Sequence, residues 1–279
     1  MLKITILCEN TAGFPGLIGE HGFSALVELD AESILMDTGS GQGILPNTRT
    51  LRKDLSQVGK ILISHGHYDH TEGFPQALVL TQGAEVYAHP DIFAHKIAII
   101  GQGENQIQRF IGLPYRREYL ESLGAEFRLE RGFIEVAPDV FMTGEVPRET
   151  TFEAGDPRLF VQQDDEYVPD NFPDDQSLVI NTSQGLIIVF GCAHAGMINT
   201  IWYARKKTGQ DRVRALLGGT HLGFLSPDQL EESIQELHKI SPETIAVSHC
   251  TGMKPAMRLM QEFGDSFVFA NTGSVFQFD

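Results

Sequence analysis

Ser64-His65-Gly66-His67-Tyr68-Asp69-His70 follows directly on the apolar run at residues 60–63, which reads as a β-strand. Strand ends are where α/β proteins seat ligands, because the sheet holds the loop rigidly while the loop's own sequence is free. His65, His67, Asp69 and His70 put three imidazoles and a carboxylate within six positions. A tight loop can wrap such N and O donors around one or two divalent cations, since borderline metals accept both. The alternative is a polar loop that is merely rich in histidine. Four donor-type residues packed directly behind a strand weigh against it.

The chain has ten histidines, and three more fall in the same context. His194 follows the apolar run 186–190 in Gly191-Cys192-Ala193-His194-Ala195-Gly196, and His221 follows the run 213–217 in Gly218-Gly219-Thr220-His221. His249 ends the run 244–248 in Ser248-His249-Cys250-Thr251-Gly252. Singly, each reads as a satisfied core or surface histidine. Together with the dense loop they read as one cluster at one edge of a sheet. His89 also ends a strand but has no glycine beside it, and His21, His95 and His238 read as lying outside the cluster.

Other β-rich runs lie at residues 4–7, 25–29, 34–36, 61–64, 85–88, 127–129, 178–181, 267–269 and 275–278. Several are continuously apolar, which suits strands covered on both faces. A helix is expected from Ser226, where Ser226 caps, Pro227 fits the first turn and Gln229 completes a capping box. Another runs from about Met197 to a stop at Gly209. Residues 90–173 are punctuated by glycine and proline, and read as an elaboration folded over the strand ends rather than an independent unit. The expectation is one domain over residues 1–279, of α/β class.

Twenty-one basic against 37 acidic residues give a formal charge of −16. Such a surface repels phosphate backbones and anionic lipid, so neither nucleic acid nor membrane is an expected partner. The three cysteines, Cys8, Cys192 and Cys250, form no CxxC pair, which argues against a disulfide framework. No apolar run has the length of a signal peptide core or a membrane span, so a cytoplasmic location is expected. Oligomeric state is left open.

HxHxDH after a strand, with single histidines after later strands, resembles the metallo-β-lactamase superfamily. Asp37-Thr38-Gly39 after the run 34–36 matches that superfamily's early Asp position. The resemblance implies an αββα sandwich, two facing mixed sheets with helices outside and the metal site at one edge. Glu20-His21-Gly22-Phe23-Ser24, Thr143-Gly144-Glu145-Val146-Pro147-Arg148 and Asp174-Asp175-Gln176-Ser177-Leu178, with the histidine strings above, are similar to one subfamily. Its members include archaeal 7,8-dihydropterin-6-methyl-4-(β-D-ribofuranosyl)aminobenzene-5′-phosphate synthases.

The resemblance implies one metal held by His65, His67 and His194, and a second held by Asp69, His70 and His249. Asp37 would orient a ligand imidazole from behind. Many members carry an Asp that bridges two metals after the strand that precedes Gly191; here the nearby candidates are Cys192 and His194, and Asp175 or His221 could complete the sphere instead. Zinc is the first choice of cation, with iron and manganese compatible with the same donors. A cation held by neutral imidazoles activates water or polarises a phosphoryl or carbonyl oxygen. Asp69 is then the candidate proton acceptor, and His221 a candidate general acid or substrate contact.

The expected substrate is small and anionic, phosphorylated or diphosphate-bearing, and met by Arg148 and by the N-terminus of the helix after Gly196. Hydrolysis and diphosphate displacement by an arylamine both fit. Hydrolysis of another ester, lactone or thioester is the alternative, as is a metal-dependent sensor without turnover. Cys192 and Cys250 read as small packing residues. His67 stands where related di-iron flavoproteins carry Glu, which argues against redox chemistry.

Overall fold

A computed structural model describes residues 2–101 and 103–279. The apolar runs pair into two seven-stranded sheets. The first has the spatial order Val275–Phe278, Leu2–Cys8, Ser24–Glu28, Ser33–Met36, Val58–Leu62, Ala84–Ala88, Ala125–Leu129. Its ladders are antiparallel as far as Ser33–Met36 and parallel beyond. The second runs Phe267–Phe269, Thr244–Ser248, Val213–Gly219, Gly185–Phe190, Ser177–Thr182, Val140–Met142, Ile134–Ala137, parallel up to Gly185–Phe190 and antiparallel after it. Parallel neighbours need crossovers long enough for a helix, and each parallel step here has one.

Side chains alternate between the two faces of a strand, and both faces of these strands are apolar. Ile34, Met36 and Val27 point inward and meet Leu178, Ile187, Val189 and Leu217 in the core between the sheets. Leu26, Leu35 and Ile61 point outward onto Ile44, Phe74, Leu78 and Leu120 of helices Ile44–Thr50, Phe74–Thr81 and Arg117–Ser122. On the second sheet, Leu186, Ile188 and Phe190 point outward onto Ile198, Ile234 and Leu259 of helices Met197–Thr208, Pro227–Ile240 and Met253–Phe263. The layers are therefore αββα.

The two caps expected from the sequence form, with one difference in detail. Gly209 adopts φ 70° and closes Met197–Thr208, and Ser226 Oγ accepts the Gln229 N–H at 3.2 Å. Gln229 does not return that bond to complete a capping box. Its Oε1 accepts the Ala154 N–H at 3.3 Å instead, because the loop around residue 154 packs over the helix start.

A third sheet of four antiparallel strands has the order Glu166–Pro169, Leu159–Gln163, Lys96–Ile100, Ile107–Phe110. Residues 90–173 are thus shared out, since Ala125–Leu129, Ile134–Ala137 and Val140–Met142 belong to the main sheets. Ala98, Ile111, Leu159 and Phe172 form a small buried cluster against Tyr68, which sets the third sheet beside the histidine-rich loop. Among the described residues, no helix is long and apolar enough to cross a membrane.

Candidate metal centre

The parallel halves of both main sheets end at the same edge. Asp37, the loop 64–70, His194, His221 and His249 follow Ser33–Met36, Val58–Leu62, Gly185–Phe190, Val213–Gly219 and Thr244–Ser248. Four non-glycine residues there are left-handed, with φ 55° at Asp37, 54° at Ala193, 55° at His221 and 53° at His249. A β-carbon makes that conformation costly, and it persists where surrounding structure over-determines it. The loops from the two sheets meet closely. A Cβ on Gly191 would lie 2.1 Å from Ser64 Oγ, so only glycine fits.

The donors converge. His65 Nε2 lies 3.0 Å from His67 Nδ1, and donor atoms of His65, His67 and His194 all fall within 4.8 Å of one another. His249 Nε2 lies 3.2 Å from His70 Nε2 and 3.3 Å from Asp69 Oδ2. His67 Nε2 and both ring nitrogens of His194 are buried without a hydrogen-bond partner. Each such orphan costs about 1–3 kcal/mol, a penalty that a cation at this point would remove. The donor chemistry fits a divalent metal.

Charge at His65, His67 and His194 agrees with that reading. Burial, and then the Lys96 charge, lower His67 to about 3. Burial and neighbouring histidines hold His65 and His194 well below the usual imidazole range. Neutral imidazoles present the lone pairs that metals take. At His70 burial is outweighed by the charges of Asp37 and Asp69, which hold it up at about 9. At Asp69 burial is outweighed by His70, His21 and His249, which keep its carboxylate well below the usual range.

A ring of supporting groups fixes which nitrogen faces inward. Asp37 Oδ2 accepts the His70 Nδ1–H at 2.7 Å, and Asp37 Oδ1 accepts the Ser64 N–H at 2.7 Å. Ser64 Oγ donates to Asp37 Oδ2 at 2.7 Å and lies 2.9 Å from His65 Nδ1. Asn10 Oδ1 accepts the His249 Nδ1–H at 3.0 Å, and Glu9 accepts the His249 backbone N–H at 2.9 Å. Such partners orient an imidazole and raise its basicity. Asp37→Asn is therefore expected to keep the fold and weaken metal binding about 10- to 100-fold, read by titration against a competing chelator. Unchanged affinity would make Asp37 incidental, and loss of folding would make it structural.

Several supporting residues have no role that the sequence assigns, although Asp174 and Gln176 lie in the Asp174–Leu178 string that resembles the subfamily. Asp174 Oδ2 accepts the Gly66 N–H at 2.9 Å, between two of the donor histidines, while Asp174 Oδ1 lies 2.6 Å from Lys96 Nζ. Lys96 is buried and also reaches Asp170 at 2.8 Å. The Gln176 N–H donates to Ser64 O at 2.9 Å, and Phe172 stacks on His194 at 4.1 Å and 7°. The visible signal was Lys96 itself, a charge heading the apolar run Ile97-Ala98-Ile99-Ile100.

The structure also moves residues between roles. His21, read as outside the cluster, stands with Nε2 3.2 Å from Asp69 Oδ2, because its loop folds back across the sheet ends. Arg148 does not line the cavity at the cluster. Its guanidinium donates to the carbonyls of Asn171 and His194, each at 3.1 Å, and so braces the His194 loop from below. The helix N-terminus after Gly196 is taken as well, since buried Glu153 accepts the Ile198 and Asn199 N–H groups at 2.8 Å each. Asp175, raised to about 6 by burial, has Oδ2 on the Ala195 N–H at 2.9 Å and stands apart from the grouped donors. His221 Nε2 faces Asp156 Oδ2 at 3.2 Å, and its ring lies 4.2 Å from that of His194.

His67, Asp69, His194 and His221 open into a cavity of about 240 Å³ rimmed by Tyr68 and Arg109. A two-sheet sandwich with imidazoles and carboxylates gathered at one edge defines a class, and the comparisons name it. The metallo-beta-lactamase superfamily model matches residues 17–208, and the chain belongs to that superfamily. A 7,8-dihydropterin-6-methyl-4-(beta-D-ribofuranosyl)-aminobenzene-5'-phosphate synthase of Methanocaldococcus jannaschii is 31% identical, over 99% of this chain and 97% of its own. An uncharacterized protein of the same organism is 32% identical, over 98% of each chain. The crystal structure of a metal-dependent hydrolase of the beta-lactamase superfamily superposes with a TM-score of 0.83 at 29% identity, covering 100% of this chain and 99% of that one.

Proposed function

We propose that this chain is a metal-dependent enzyme acting on a small phosphorylated or diphosphate-bearing molecule, working as a single domain with the third sheet as cover. The observation that carries this reading is the set of unpaired nitrogens on His67 and His194, beside Asp69, at the floor of a small cavity. His65, His67 and His194 would hold one cation, with Asp69, His70 and His249 offering a second set. Zinc is the first choice. The metal supplies Lewis acidity toward a phosphoryl or carbonyl oxygen.

The chain's own residues do the rest. Asp69 faces the cavity and orients the attacking nucleophile through its proton. Tyr68 and Arg109 line the mouth, Arg109 stacking over the Tyr68 ring at 5.3 Å. That pair offers a flat face and a charge to an aromatic, anionic substrate. The likeness to a synthase whose named product joins a pterin to a phosphorylated ribofuranosyl-aminobenzene favours an arylamine nucleophile, with diphosphate leaving. The likeness to a named hydrolase supports water in the same place.

Arg109, rather than Arg148, is a cation placed at the cavity to meet a phosphate. Arg109→Ala is expected to raise KM for phosphorylated substrates about tenfold while leaving neutral esters little changed, because only a charged group loses a charge-assisted contact. Arg148→Ala is expected to lower turnover of both alike, through the His194 loop. Steady-state kinetics on a matched phosphoester and neutral ester decide this. Equal losses in the Arg109 variant would move the chain toward ester, lactone or thioester hydrolysis.

A further inference from the structure

The histidines of the cluster are not all held in the same way. His70 has Asp37 on Nδ1, His249 has Asn10 on Nδ1, and His65 Nδ1 lies 2.9 Å from Ser64 Oγ. Among the described residues, no carboxylate, amide or hydroxyl meets a ring nitrogen of His194. His67 is the same, since its Nδ1 reaches only His65 Nε2 and its Nε2 has no partner. An imidazole turns about its Cβ bonds unless a neighbour holds it. Something other than a hydrogen bond therefore fixes these two rings.

Phe172 is the group common to both. Its ring lies parallel on His194, with centroids 4.1 Å and planes 7° apart, and meets His67 edge-on at 5.6 Å and 89°. Stacked and edge-on contacts are the arrangements aromatic rings favour, so one buried phenyl restrains two imidazoles. Phe172 is itself firmly placed. Its backbone is left-handed at φ 52°, costly for a residue with a β-carbon. Two bonds keep it there, its N–H donating to Asp170 Oδ1 at 2.7 Å and its carbonyl accepting the Asp175 N–H at 3.2 Å. Lys96 Nζ stands over the ring at 4.9 Å while pairing with Asp170 Oδ2 at 2.8 Å.

We propose that Phe172 is a positioning residue for the set His65, His67 and His194, taking at His194 and His67 the part that Asp37 takes at His70. It sets the two rings by stacking rather than by hydrogen bonding. Asp170 and Phe172 follow the strand Glu166–Pro169, and Lys96 heads the strand Lys96–Ile100, so the third sheet carries the ring. The cover of the cavity is thereby tied to two of the three imidazoles beneath it. The inference rests on the reading of those three histidines as one donor set, and adds how the set is held.

Two variants and one spectrum test it. Phe172→Leu keeps an apolar side chain but removes the flat face, and Phe172→Tyr keeps the face. Zinc affinity is read by competition with a chromogenic chelator. Phe172→Leu is expected to bind one equivalent about 2- to 10-fold more weakly than wild type, the worth of one aromatic pair, with the other equivalent unchanged. Phe172→Tyr is expected to restore wild-type affinity. In the metal-free wild type, the His194 ring protons, assigned by comparison with His194→Gln, should be shifted upfield by the phenyl ring above them. That shift should persist in Phe172→Tyr and vanish in Phe172→Leu. Unshifted His194 resonances in the wild type would overturn the proposal without recourse to any variant. So would a Phe172→Leu protein that binds both equivalents normally, or one that loses affinity equally at both, which would mark the ring as general packing. A wild type that binds no zinc would remove the donor set itself, and the proposal with it.

Discussion

His67→Ala is expected to give a folded protein stripped of about one equivalent of metal per chain, with turnover reduced to background. The loss is large because His67 supplies one of three imidazoles gathered at one point, and its Nε2 has no other partner to satisfy. The fold should survive, since the core between the sheets and the two cores under the helices are built from apolar residues away from the loop. Metal analysis, circular dichroism and turnover on one preparation check the three parts. Full metal content and an unchanged rate would show that His67 is not a ligand.

Lys96→Met is expected to cost about 3–5 kcal/mol of stability, the usual penalty for leaving one side of a buried ion pair unpaired. Two carboxylates lose their cation here, since Lys96 Nζ lies 2.6 Å from Asp174 and 2.8 Å from Asp170, all three groups buried. For a chain of this size the melting temperature should fall by roughly 10 °C. The effect should reach the metal, because Asp174 is what holds the Gly66 N–H between His65 and His67. Adding Asp170→Asn and Asp174→Asn to Lys96→Met should restore much of the stability, as neutral buried groups need no counter-charge. Thermal melts of the single and triple variants measure this, and a single variant that melts like wild type would contradict it.

The donor loops and most strands of the main sheets were legible because each is local, whereas Ile134–Ala137 and Val140–Met142, at one edge of the second sheet, were not. Residues 186–190 are apolar on both faces, and the helix, strand and donor signals abut one another along the chain. His194, His221 and His249 could be grouped because each sits directly behind such a run. The outlying sheet was not legible. Ile107–Phe110 is exposed along its whole length, so no buried face imposes an alternation of apolar and polar residues. Helix Met253–Phe263 starts at Gly252 without a capping side chain and was equally silent.

Direction is the other thing a sequence withholds. Arg148 and the helix start after Gly196 have the right chemistry for an anion, yet backbone carbonyls and Glu153 satisfy them within the chain. His21 and Asp69 stand 48 positions apart by number, and only the fold of the N-terminal loop brings them to 3.2 Å. Lys96, Asp170 and Asp174 meet in the same way, through the third sheet.

Metal content and turnover measured together on the purified chain test the central claim most directly. Phosphoesters and diphosphate esters are screened as prepared, after treatment with chelator, and after zinc is restored. The account predicts bound divalent metal, turnover of phosphorylated substrates, loss of that turnover with the metal and its return with zinc. A metal-free protein, or turnover indifferent to chelation, would contradict it.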